Sequence, residues 1–143
     1  MTFVGEMTTQ QKNVYTAQQF VTCLSKSFTD IEDVQRYADS LTSSVWWEKN
    51  YGHVTRIDAI PHNTLKCSVA SCTDDGKVGI IAIAPNMMTQ RTVLHEIAHC
   101  IDPSQGHNST WARTFLTLAY FAVGSKEYQE LREAFVNNNV DIG

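Results

Sequence analysis

None of the four cysteines stands in a C-x-x-C pair. Cys23, Cys67, Cys72 and Cys100 therefore make neither half of a zinc ribbon nor a thioredoxin-like motif. Long apolar runs are missing too. No stretch approaches the ~20 apolar residues of a membrane span, so no membrane association is expected. The opening "MTFVGEMTTQQKN" lacks a basic segment followed by an apolar core, so no secretory signal is expected. Positive charge is in short supply: 11 Lys and Arg stand against 15 Asp and Glu, a formal net charge of −4. That balance argues against a nucleic-acid partner, which calls for a basic face or stripe. Together these absences describe a cytoplasmic protein with reduced thiols. Only in an exported protein would Cys67 and Cys72 be expected to pair across a hairpin.

What is present suits one globular domain covering residues 1–143. Hydrophobic residues make up 43% and charged residues 18%, and a chain of this length can bury roughly two thirds of its unfolded surface. It needs no disulfide framework to fold. The spacing of Val14, Tyr15, Ala17, Phe20, Val21 and Leu24 predicts a helix within 8–27. A second helix is expected from an N-cap at Thr29 or Asp30 to a stop at Gly52, with Val34, Tyr37, Ala38, Leu41 and Val45 on one face. Trp46 and Trp47 read as core and groove lining. From His53 to Ala84 the chain reads as strands. Asp75–Gly76 marks a hairpin turn, and the β-branched run Ile80, Ile81, Ile83 is ended by Pro85. Helices follow at about Thr89–Ile101, Ser109–Val123 and Lys126–Phe135. Helices, then strands, then helices make an α+β fold, with a small, mostly antiparallel sheet packed on the Thr89–Ile101 helix and on further helices.

Three of the five histidines fall within "LHEIAHCIDPSQGH", residues 94–107. On a helix, His95 and His99 are one turn apart on one face, and two imidazoles so placed can share a tetrahedral metal. Glu96, one residue round, can reach a water on that metal. This is the HExxH arrangement, with zinc acidifying the water and the glutamate acting as general base. At this composition a chance HExxH arises in roughly one sequence per hundred, so context must add weight. It does: Val93, Leu94, Ile97, Ala98 and Ile101 make an apolar face, and a β-branched strand runs directly into the helix. An extended peptide could add to the edge of such a strand. A catalytic zinc wants a third protein ligand and an open position. His107 is the preferred third ligand. Asp102, one turn beyond His99, is the second choice, either as ligand or as a carboxylate orienting an imidazole. Glu127 or Glu130 from the last helix is the third. Cys100 reads as a small buried side chain, about 100° round the helix from His99. His53 and His62 read as ordinary surface histidines.

The segment "VLHEIAHCI…GHNSTWARTFL" resembles the minimal zincin core of SprT-like and WLM-type metallopeptidases: HExxH, a short loop, then a third histidine with an aromatic four residues on, here His107 and Trp111. The chain resembles more closely a family of small metallohydrolases of actinomycete bacteria and their phages. "QKNVYTAQ", "DVQRYADSL" with the following "WW", and "VGIIAIAP" extend that resemblance over nearly the whole chain. It implies a zincin-like fold, with zinc on His95, His99 and His107 and with Glu96 as base. The family often carries His-Gly-Pro where this chain has His107–Asn108–Ser109, and Asn108 or Ser109 can cap the next helix. The cysteine-rich ribbon of full SprT-like proteins has no counterpart here.

The expectation is a zinc-dependent hydrolase with one Zn2+ per chain. It would be a metallopeptidase acting on a peptide or protein through zinc-activated water. Arg113, Tyr120 and His62 are the candidates for steadying an oxyanion. The alternative is a non-catalytic zinc-containing module that binds a peptide or protein.

Overall fold

The computed structural model describes residues 8–19, 21, 24–62, 68–102 and 106–143. Among these the fold is α+β, with six α-helices and one three-stranded mixed sheet. In chain order the elements are α1 (Thr9–Gln19), α2 (Ile31–Thr42), α3 (Val45–Tyr51), β1 (Arg56–Pro61), β2 (Val69–Cys72), β3 (Val78–Ile83), α4 (Gln90–Ile101), α5 (Ser109–Val123) and α6 (Ser125–Asn137). They fall into two compact units. Leu24–Pro103 holds α2, α3, the sheet and α4; Met1–Cys23 with Ser104–Gly143 holds α1, α5 and α6. No described helix is long and apolar enough to cross a membrane.

In the sheet-bearing unit the strand order is β1-β3-β2. Thr73–Lys77 turns β2 back onto β3: Asp75 Oδ1 accepts from Thr73 Oγ1 at 2.7 Å and from the Lys77 N–H at 3.0 Å. Gly76 sits at φ 72°, which a residue with a Cβ rarely adopts. The Asp-Gly signal in the sequence is thus a hairpin, and Val69–Cys72 pairs antiparallel with Gly79–Ala82. The expectation of a mostly antiparallel sheet is corrected by the longer ladder, Arg56–Pro61 on Val78–Ile83, which is parallel. The turn chemistry fixes only β2 against β3. Which side of β3 receives β1, and in which direction, is decided by the path between β1 and β2, which a period-2 pattern does not report.

Helix α4 packs on β3 and β2, and α2 packs on β1. Ile57, Ile81 and Ile83 are buried in this core. Gln35 of α2 reaches the backbone of β1: its Nε2 donates to the Ile57 carbonyl at 2.7 Å and its Oε1 accepts from the Ala59 N–H at 2.7 Å. The single helix expected between residues 29 and 52 is two. Asp30 caps α2, its carboxylate accepting from the Asp33 N–H at 2.8 Å. Ser44 restarts the chain as α3, its hydroxyl accepting from the Trp47 N–H at 3.1 Å. A serine that can satisfy a free helix-start N–H offers the backbone a way out of the helix. Trp47 is buried, with its indole N–H on the Val54 carbonyl at 2.8 Å, whereas Trp46 is half-buried and edge-on to Tyr51.

In the other unit, α6 packs against both α1 and α5. Phe115 and Phe135 meet with ring centroids 6.0 Å apart. Gln10 and Asn13 of α1 bond the chain end, Gln10 pairing with the backbone of Asp141 in both directions and Asn13 donating to the Asn139 carbonyl. The first expected helix is described only as Thr9–Gln19; Phe20 and Cys23 of that expectation lie outside the described residues, as does Cys67 of the considered Cys67–Cys72 pair.

Candidate metal centre

Helix α4 begins with its orphan N–H groups satisfied. Gln90 donates to the Lys26 carbonyl at 2.8 Å, Arg91 to the Leu24 carbonyl at 3.0 Å, and Thr92 to the capping Thr89 hydroxyl at 3.3 Å. A helix anchored in this way holds its side chains in fixed register. The sequence pattern suggests one apolar face and, by default, a wet polar one. Instead every residue from Thr92 to Ala98 is buried, His95 at 5% and Glu96 at 7% exposure. A buried carboxyl and imidazole cost folding free energy unless a partner or a task goes with them.

Burial sets the protonation of these groups. Glu96 is pushed up to about 7 by desolvation of its carboxylate. His99 is pushed down to about 4 by desolvation, against an opposing pull from Asp102. At neutral pH His99 is therefore uncharged, with a lone pair ready for a metal. The Cys100 thiol is pushed up to about 12, by burial first and then by Glu96 and Cys72. It stays protonated, consistent with a small buried side chain and not with a ligand.

The rings of His95 and His99 lie 5.2 Å apart at 63°. His107 precedes α5 and is 6% exposed. Asn108 caps that helix, its Oδ1 accepting from the Trp111 N–H at 2.9 Å, which places Trp111 one turn on from His107. Trp111 meets His107 edge-to-face at 4.5 Å, and Tyr15 of α1 does so at 5.4 Å. His95, His99 and His107 each offer one ring nitrogen, and these atoms all lie within 4.8 Å of one another. Nitrogens around a tetrahedral zinc at ~2.0–2.1 Å stand about 3.3 Å apart. The three histidines can hold a metal ion.

Asp102, Glu127 and Glu130 are not in this group, nor are His53 and His62. His53 is exposed, and the His62 N–H continues the ladder by donating to the Ile83 carbonyl at 3.0 Å. Of the other oxyanion candidates, Arg113 lies against Gly143, and Tyr120 is 55% exposed with its ring on Tyr128. A second aromatic beside His107, besides Trp111, is Tyr15, which sequence reasoning did not place there. Its only signal was its place in "QKNVYTAQ". No protein-family model, curated protein or solved structure matches the chain.

Proposed function

We propose that the chain is a zinc-dependent hydrolase with a minimal zincin-like centre, and that it cleaves peptide bonds. His95, His99 and His107 would hold one zinc per chain. The observation that carries this reading is the meeting of three imidazole donors, two of them on the helix that carries the buried Glu96. The sequence resemblance to small metallohydrolases supports it as well. When bound, zinc supplies Lewis acidity, lowering the pKa of water and polarising a carbonyl.

The side chains do the rest. Glu96 takes a proton on its carboxylate from the attacking water and returns it to the leaving amine. A carboxyl raised to about 7 by burial can be both acceptor and donor near neutral pH. His99 enters as a neutral donor. Trp111 and Tyr15, edge-on to His107, limit its ring rotation. The acidic overall charge favours a peptide over a nucleic acid as substrate.

The test is metal content by elemental mass spectrometry together with hydrolysis of a peptide library, on the wild type, His99→Ala and Glu96→Gln. About one zinc per wild-type chain is expected, lost in His99→Ala. It should be kept in Glu96→Gln, with hydrolysis gone. Undiminished hydrolysis by Glu96→Gln would overturn the mechanism. Zinc bound in all but His99→Ala, with no hydrolysis by the wild type, would favour the non-catalytic binding module instead.

A further inference from the structure

Two cysteines outside the histidine group converge on one glycine. Cys72 of β2 stands directly opposite Gly79 of β3. The Thr73 N–H bonds the Val78 carbonyl at 2.9 Å, so the next pair along, Cys72 and Gly79, is of the non-hydrogen-bonded kind, in which side chains stand closest. A residue opposite Cys72 would place its Cβ about 4.5–5.5 Å from that of Cys72. Gly79 has none, and Cys100 of α4 uses the space. A Cβ on Gly79 would lie 2.7 Å from Cys100 Sγ and 2.8 Å from its Cβ. Cys100 Sγ also lies 3.7 Å from the carbonyl of Ser71, the residue before Cys72. The glycine is thus required by the close approach of a thiol, and that thiol takes the place of a cross-strand neighbour to Cys72. Disulfides need a Cβ separation of ~3.5–4.5 Å, a small adjustment from such a neighbour.

We propose that Cys72 and Cys100 form a redox-active dithiol that closes to a disulfide joining β2 to α4. Cys72 is half-buried and Cys100 is buried, so a small hydroperoxide meets Cys72 first. Its sulfur attacks a peroxide oxygen, the O–O bond breaks, and water leaves with the thiol proton. The Cys100 sulfur then attacks the Cys72 sulfenic sulfur. The S–S bond forms, the S–O bond breaks, and the Cys100 proton leaves with hydroxide as a second water. Two electrons pass from two thiols to one hydrogen peroxide, which becomes two waters. The second step is intramolecular and gains from the proximity imposed by the helix-on-sheet packing. The product ties the strand to the helix one residue past His99.

The experiment treats the full chain with hydrogen peroxide, alkylates remaining thiols, and maps tryptic peptides by mass spectrometry without reduction. A Cys23→Ser/Cys67→Ser variant, checked for folding by circular dichroism, is run beside it. The expected result is a Cys72–Cys100 cross-linked peptide from the wild type. In the variant the free thiols should fall from two to none, the monomer mass should drop by two hydrogens, and a reductant should restore both. A Cys67–Cys72 link, a disulfide-bonded dimer, or separate over-oxidation of Cys72 with Cys100 still free to alkylate would overturn the proposal.

Discussion

Helices α2 and α4 have the same length, each starts from a side-chain cap, and each packs on the sheet, yet they treat charge in opposite ways. In α2, Asp33 faces solvent and the Thr29 N–H holds its carboxyl below the usual range. In α4, Glu96 is buried and its carboxyl is pushed up to about 7. A carboxylate near a helix start with an N–H to accept from favours folding. A desolvated one opposes it. The contrast sets a helix whose first-turn carboxylate adds to stability beside one whose buried glutamate, between His95 and His99, subtracts from it.

Under the proposed hydrolase reading, changes in α4 should fall on chemistry and changes in α2 on stability. The largest effect expected is that of Glu96→Gln on peptide hydrolysis, a loss of roughly 10²–10⁴ in kcat with metal content unchanged. Steady-state kinetics with parallel elemental analysis checks it.

Next comes a concealed pH dependence. In the metal-free protein, His99 titrates at about 4 when folded and near 6.5 when unfolded, so the unfolded chain binds the extra proton and stability falls as pH drops from 6.5 to 4. Glu96 titrates at about 7 when folded and near 4.5 when unfolded, so the folded chain binds the extra proton and stability falls as pH rises from 4.5 to 7. Each is worth roughly 3 kcal/mol across its window, and the two oppose each other where the windows overlap. Urea unfolding of chelated wild type should show little contribution from this pair between pH 4.5 and 6.5. Glu96→Gln should expose the His99 slope, losing roughly 3 kcal/mol on acidification from pH 6.5 to 4. A Glu96→Gln profile as flat as the wild type would show that the two groups do not compensate in this way.

Metal removal is expected to matter slightly less. An ion at a hundred times its dissociation constant adds about 2.7 kcal/mol, so chelation should lower the wild-type Tm by roughly 10 °C and leave His99→Ala unmoved. The smallest effect belongs to α2: Asp30→Ala removes its cap and should cost about 1 kcal/mol in stability, with kcat unchanged. A loss of activity in that variant at a temperature where it stays folded would blur the division between the two helices.

The histidine helix was readable because i, i+4 spacing is a local property, and Thr89 and Asp102 bound it closely. The Asp75–Gly76 hairpin was readable for the same reason. The parallel pairing of β1 was not, because strand order is decided by a connection and not by a pattern within a strand. Nor was the break at Ser43–Ser44, since serine is tolerated within helices as well as at their caps. The burial of Glu96 was hidden by the amphipathic pattern itself, which assigns polar residues to water. Tyr15 was missed because its partner His107 lies far along the sequence, and sequence spacing does not reveal a contact between them.

Gln35 has a consequence at the level of populations of molecules. By holding both the Ile57 carbonyl and the Ala59 N–H, its amide serves as a short piece of false strand along β1. A strand added there would find two of its docking groups already taken. One side chain of α2 thus covers part of a sheet edge that would otherwise be open to another strand, and it does so in every copy of the chain.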